Sequence, residues 1–175
     1  MSDAPFLVTE RLELWLPRPG DLRATYDVVT HPATGRYLGP QAQLHEHAVR
    51  FMRGAGSWFL YGYGALMLRL RGQDAVIGNC GVFHTFRGLG EDFDDHPEAG
   101  WIVAADHVGH GLGSEAMQAV LGWFDREHGR RRMVCMISIG NAASLGLAAK
   151  LGFTPLRDTE LPDGDTVRLL ERLPG

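Results

Sequence analysis

The sequence predicts a single mixed α/β domain, and three observations carry that prediction. Tyr63 to Leu70 and Ala75 to Phe83 are strand-like runs joined by Arg71-Gly72-Gln73-Asp74, a hairpin signal. Gly100 to Val103 is an apolar run followed by the alternating glycines Gly109, Gly111 and Gly113. An amphipathic helix comes next, with Leu112, Ala116, Val120 and Trp123 on one face. Met133 to Ile139 is continuously apolar, as expected of a strand buried on both faces and parallel to a neighbour. At 175 residues, the chain suits one domain, residues 1–175, with a sizeable core.

The remaining elements follow in order. Leu7 to Leu16 alternates apolar and polar side chains, as one half-buried strand would. Pro17 to Gly20 breaks it, and Asp21 is placed to cap a helix reaching about Thr30. His31 to Gln43 reads as a loop, and Leu44 to Arg53 as a short helix. Thr85 to Pro97, with Glu91, Asp92, Asp94 and Asp95, reads either as a solvated hairpin tip or as a surface for a cationic substrate. Glu98 to Val103 is a strand, and the helix after the glycines runs to about His128, where Gly129 stops it. Asn141 to Leu151 is a helix ended by Gly152. Phe153 to Thr159 and Thr166 to Arg172 form a last hairpin around Pro162-Asp163-Gly164.

Composition excludes several classes. The net charge of −4 and the lack of a basic run beyond Arg130-Arg131-Arg132, read as the solvated lead-in to a strand, argue against a nucleic-acid binder. No stretch is long and apolar enough to span a membrane and no signal peptide is visible, so the expected compartment is the cytoplasm. Cys80 and Cys135 lie in apolar runs without ligand spacing, which predicts reduced core thiols and no metal site. Sixteen of the seventeen basic residues are Arg; with abundant Gly and Ala, this points to a GC-rich bacterial genome.

The most informative stretch is His107 to Ala116. Glycine lets the backbone turn sharply and approach a ligand, and free amides at a helix N-terminus suit an anion. The turn therefore reads as a phosphate cradle, with a simple tight connection as the alternative. It lacks the Gly-Lys-Ser/Thr ending of a Walker loop and the G-x-G-x-x-G spacing of a dinucleotide turn, which argues against nucleotide hydrolysis and NAD chemistry.

Strand, glycine turn, helix and buried strand, followed by Asn141-Ala142-Ala143-Ser144 and Lys150-Leu151-Gly152-Phe153, resemble the GCN5-related N-acetyltransferase (GNAT) superfamily. More narrowly, the chain is similar to the branch named for RimJ and RimL. Thr9-Glu10-Arg11-Leu12-Glu13-Leu14 matches its opening T-E-R-L-x-L, and Ile77-Gly78-Asn79-Cys80-Gly81 its I-G-x-x-G. The resemblance implies a twisted, mixed, mostly antiparallel sheet of six to seven strands with about four helices. A splayed parallel pair would form from the runs at 98–103 and 133–139.

The family's acetyl-CoA turn, Q/R-x-x-G-x-G/A, aligns with Val108 to Gly113, departing from its first letter at Val108. The resemblance implies that the amides of Val108, Gly109, His110, Gly111, Leu112, Gly113 and Ser114 hold the pyrophosphate, with a further bond from the Ser114 hydroxyl. It implies that Ile102 and Val103 pair with the pantetheine arm, and that Asn141 bonds that arm or the turn. Acetyl transfer from acetyl-CoA to an amine needs a neutral amine, a polarised thioester carbonyl and a proton for the departing thiolate.

Glu98 matches a position where the superfamily often carries a carboxylate, and is the candidate base; an exposed strand-end Glu is the alternative. The Tyr that many members use as acid falls at Ala148 here, which leaves Ser144 as the candidate acid. Asn141 and Ser144 are also ordinary helix-capping residues. His84 reads as a surface residue or as lining the acceptor cleft, and His107 and His110 are the histidines beside the glycine turn. Trp58, Phe59 and Tyr61 read as core or pocket-lining aromatics. The acceptor is expected to be a protein N-terminal amine or a small-molecule amine, and a homodimer is compatible with the sequence. A non-catalytic acyl-CoA-binding module or an interaction protein on the same fold is the alternative.

Overall fold

The computed structural model describes residues 4–175. Eight strands of the described residues form one sheet: β1 (Leu7–Val8), β2 (Leu12–Trp15), β3 (Ala65–Leu70), β4 (Val76–His84), β5 (Pro97–Val103), β6 (Met133–Ser138), β7 (Thr154–Glu160) and β8 (Thr166–Arg172). Their order is β1-β2-β3-β4-β5-β6-β8-β7. Five α-helices accompany them among the described residues: α1 (Asp21–Thr30), α2 (Pro32–Gly35), α3 (Leu44–Tyr61), α4 (Leu112–His128) and α5 (Ala142–Lys150). The expected mixed, mostly antiparallel architecture is present, with eight strands where six to seven were expected and a fifth, short helix. None of the helices described is long and apolar enough to cross a membrane.

All strand pairs are antiparallel except β5 and β6, whose register is held only at Glu98 opposite Val134. Beyond that point the strands diverge, while β4 stays paired with β5 all the way to Val103. The sheet therefore opens as a V between the end of β5 and the end of β6. Gly78 and Gly81 of the I-G-x-x-G motif lie where neighbouring strands come too close for a side chain. A Cβ would sit 2.1 Å from the Ile102 carbonyl oxygen at Gly78 and 2.4 Å from that of Gly64 at Gly81.

Between residues 7 and 62 sequence and structure differ in four places. The alternation from Leu7 to Leu16 is two strands. The Thr9 amide bonds the Leu12 carbonyl at 2.9 Å, so the chain turns and Leu7 pairs back with Leu14. Asp21 opens α1 as its first residue, and its carboxylate accepts from the Arg18 amide and from Arg69, the latter at 2.6 Å. The third helix continues through Gly54 and Gly56 to Tyr61 and ends at Gly62, in the left-handed region at φ 75. Within the His31–Gln43 segment, Pro32 starts the single helical turn of α2.

The main core lies where α4 packs on the sheet. Leu112, Ala116, Val120 and Phe124 are buried against Leu12, Leu14, Leu66, Leu68 and Cys80, and Trp123 is half-buried beside them. Each fully buried large apolar side chain contributes roughly 1.5–3 kcal/mol. A second cluster joins Phe93, Val134, Val167 and Leu169. Phe93 comes from the acidic loop, which is therefore anchored and not a free solvated tip. Asp92 is forked by Arg157, and Asp94 accepts from the Arg87 and Leu89 amides. Arg132 is also more than a solvated lead-in, since it bonds Glu171 and the Asp92 carbonyl. Cys80 and Cys135 are free and buried. Burial pushes the Cys80 thiol up to about 12, and burial with the nearby Glu98 charge raises Cys135 as well.

Candidate active site

The turn between β5 and α4 begins with a 3-10 turn at Ala105–His107, closed by the Val108 amide on the Ala105 carbonyl at 3.2 Å. The amide of Val108 is thus engaged, and the free run starts one residue later than the motif suggests. Gly109 and Gly111 sit in the left-handed region, at φ 86 and φ 78. The first helical bond of α4 runs from the Glu115 amide to the Gly111 carbonyl at 3.0 Å. From Gly109 to Ser114 the amides donate to no acceptor among the described residues. Leu112 to Ser114 are donors that any helix leaves free in its first turn, and Gly109 to Gly111 extend the run ahead of it. Successive free N–H groups at the N-terminus of a 17-residue helix make an anion site.

Two neighbours hold this turn in place. At Gly113 a Cβ would lie 3.4 Å from Leu147 Cδ2 and 3.6 Å from Val103 Cγ2, so the first turn of α4 packs tightly on α5 and the end of β5. On the other side the Glu115 carboxylate accepts from the Thr9 hydroxyl at 2.6 Å, the Arg11 amide at 2.8 Å and Arg11 Nε at 2.7 Å. Arg11 Nη1 also donates to the His110 carbonyl at 2.8 Å. Thr9 and Arg11 belong to the T-E-R-L motif, whose role here is to clip the β1–β2 turn onto the glycine turn. Sequence reasoning missed this clip, although an acid in the first turn of α4 was the available signal.

Burial works to raise the Glu115 pKa, but the bonds from Thr9 and Arg11 outweigh it and hold the carboxyl below its ordinary value of 4.5. A depressed folded-state pKa contributes stability above the unfolded value, and this is lost as pH falls through the folded one. Glu115→Gln should therefore cost about 1 kcal/mol at neutral pH, since Arg11 is partly exposed, and the difference from wild type should shrink below about pH 4.5. Urea unfolding at pH 7 and pH 3.5 measures both values.

Among the described residues, the edge of β5 facing the V, through the half-buried Ile102 and Val103, has no strand paired with it beyond Glu98. At the mouth of the V, Asn141 caps α5 by accepting the Ser144 amide at 3.1 Å. The Ser144 hydroxyl oxygen accepts Trp101 Nε1 at 3.3 Å, which ties α5 to β5 and leaves the hydroxyl hydrogen to donate. Ala148 is fully buried in the core and presents no polar group. The Ser114 hydroxyl accepts Gln118 Nε2 at 3.4 Å.

A family model described as an acetyltransferase (GNAT) domain matches residues 11–154. The chain belongs to the GNAT family. A GNAT-family acetyltransferase structure from Bordetella pertussis is 34% identical, covers 95% of this chain and 98% of that one, and superposes with a TM-score of 0.84. An acetyltransferase from Agrobacterium tumefaciens str. C58 is 28% identical over 97% and 95% of the two chains, with a TM-score of 0.77. RimL, a ribosomal alpha-N-protein acetyltransferase in complex with coenzyme A, shares the fold at 19% identity, 96% and 97% coverage and a TM-score of 0.70.

In this GNAT domain Glu98 is not an exposed strand-end residue. It is 3% exposed, and its carboxylate accepts Arg87 Nε at 2.8 Å, Arg87 Nη2 at 2.7 Å and the Thr85 hydroxyl. Burial works against the Arg87 cation, but its bonds to Glu98 outweigh that and raise its pKa above the ordinary value. Nothing in the sequence spacing pairs Arg87 with Glu98; the loop that Phe93 anchors brings them together. His84 is half-buried, with its ring between the Tyr63 hydroxyl at 3.0 Å and Asp95 at 2.9 Å and Tyr61 stacked on it at 4.2 Å. Trp58 belongs to the core, edge-on to Phe6, whereas Phe59 is 92% exposed. His107 is half-buried and His110 exposed. Among the described residues, no group of three His, Cys, Asp or Glu side chains is placed to hold a metal.

Proposed function

We propose that this single domain is an acetyl-CoA-dependent N-acetyltransferase of the RimJ/RimL-like branch, acting in the bacterial cytoplasm. Its acceptor is a primary amine, on a small molecule or at a protein N-terminus. The observation that carries this reading is the run of undonated amides from Gly109 to Ser114, set beside an unpaired strand edge inside an open V. A diphosphate suits the first, since N–H bonds to anionic oxygen are stronger than neutral ones. An extended amide-bearing arm suits the second, as an added strand along Ile102 and Val103. RimL, which shares the fold, is in complex with coenzyme A.

Acetyl-CoA supplies the activated acetyl thioester. Around it Gly109 to Ser114 hold the diphosphate, and Ile102, Val103 and Asn141 position the arm. Glu98 takes the proton from the amine, Ser144 gives its hydroxyl proton to the departing thiolate so that coenzyme A leaves as the thiol, and water returns a proton to the Ser144 oxygen and removes the one on Glu98. Neither Cys80 nor Cys135, each a buried protonated thiol, serves as a nucleophile, so the amine attacks directly in a ternary complex. Ser144 suits its role because Trp101 occupies its oxygen from behind. A well-placed general acid contributes ~10²–10⁴-fold. Ser144→Ala should therefore lower kcat by about a hundredfold while changing acetyl-CoA affinity by less than about threefold. Turnover equal to wild type removes the acid role.

Ala148, buried and apolar where many members carry a Tyr acid, favours a second reading as a non-catalytic acyl-CoA binder. Calorimetry with acetyl-CoA, followed by coenzyme A release over a panel of amines, separates the two. Binding with release supports the enzyme, binding without release the binder, and no binding overturns both.

A further inference from the structure

Resting on the acetyltransferase reading, we infer that the cavity at the C-terminal end of β6 holds the second cation of a small polycationic acceptor. The cavity measures about 530 Å3, within the range of small-molecule sites. Arg36 and Tyr37 wall it from the segment after α2, Ser138 from the end of β6, and Asp163 and Asp165 from the turn joining β7 and β8. Ser138 stands four residues past Val134, the one point where β6 pairs with β5 among the described residues, and its carbonyl accepts the Asn141 amide at 2.9 Å. The cavity therefore adjoins the open part of the V and the cap that carries Ser144.

Two groups in its wall lack partners. Asp165 is half-buried, yet its carboxylate oxygens accept no bond from the described residues. The other half-buried carboxylates are served. Asp92, Glu115, Asp125 and Glu171 are paired with Arg, Asp94 accepts backbone amides, and Glu13 accepts from Trp15 and Gly72. Ser138 is 9% exposed, and its hydroxyl has no hydrogen-bond partner among the described residues. Asp163 takes the Asp165 amide at 3.0 Å with one oxygen, while the other faces Gly39 across the cavity. Arg36 is exposed and lies over the Tyr37 ring at 5.2 Å, so the cation of the wall stands at the rim.

Both groups line the cavity and reach its solvent, and a carboxylate and an unpartnered hydroxyl on one wall match an ammonium with its N–H donors. An ammonium beside a carboxylate is held in its charged form. It cannot be the nucleophile, which must be neutral, so this group is an anchor and the reacting amine is another on the same molecule. The acceptor thus carries at least two amino groups.

The test pairs α,ω-diamines of three to eight carbons with the monoamine of equal length, at physiological ionic strength. It reads kcat/KM from coenzyme A release, and diamine binding by calorimetry with coenzyme A present. One charged hydrogen-bonded contact predicts a preference of at least about tenfold for the best diamine. Asp165→Asn should collapse that ratio to near one through KM, Ser138→Ala should weaken diamine binding severalfold, and neither should change acetyl-CoA affinity. A wild type that binds acetyl-CoA but shows no tenfold preference and no diamine binding overturns the inference alone. So does an Asp165→Asn variant that keeps the preference. Absence of both acetyl-CoA binding and coenzyme A release overturns the underlying reading.

Discussion

Gly111→Glu should lower acetyl-CoA affinity at least about a hundredfold, equivalent to about 2.7 kcal/mol, with the protein still folded. Gly111 precedes α4 at φ 78, where an L side chain costs roughly 1–2 kcal/mol. Its Cβ would meet nothing nearer than Arg11 Nη2 at 3.5 Å, an ordinary contact, so the chain accommodates the side chain at the expense of strain alone. The added carboxylate would stand beside the free amides, accept from them and repel a diphosphate. Gly111→Ala separates strain from charge, and should lose only severalfold in affinity with a similar fall in stability. Calorimetry with a thermal melt on each variant checks this. Undiminished binding by Gly111→Glu would remove the amide run from the site, and the acetyl-CoA reading with it.

How far the sequence discloses this arrangement depends on whether a feature is local. The glycine turn, the stop at Gly129, the Asn141 cap and the apolar run of β6 are all set by neighbours in the chain, and each stands where periodicity and turn chemistry put it. The I-G-x-x-G glycines are recognisable as a motif, but their reason is not: both relieve contacts with strands that are distant in sequence. Tertiary partners decide what remained hidden. Alternation alone cannot show that Leu7 folds back on Leu14, nor that α3 tolerates two glycines because it packs on the sheet. The acidic loop reads as solvated until Phe93 is seen in the core, and Glu98 reads as an exposed carboxylate until that loop brings Arg87 to it. Charge composition finds titratable groups but not their partners, which lie 11 residues apart for Glu98 and Arg87 and 104 for Arg11 and Glu115.

Glu98→Gln should be the most destabilising single change considered, by about 3 kcal/mol in urea unfolding at pH 7. Removing one partner of a buried ion pair leaves the other uncompensated, and the loss falls at the low end of that range because the Arg87 side chain keeps 27% exposure. An activity loss in this variant would therefore say little about chemistry. Arg87→Met combined with Glu98→Gln resolves the two roles. The neutral pair keeps an acceptor for the Thr85 hydroxyl and leaves no unpaired charge, so the double variant should recover most of the lost stability, as apolar replacement of buried pairs generally does. If Glu98 takes the amine's proton, kcat/KM of the stable double variant should stay at least about a hundredfold below wild type. Activity recovering in step with stability would show that the carboxylate only anchors the loop to β5, and the proton acceptor would then have to be sought elsewhere along the V.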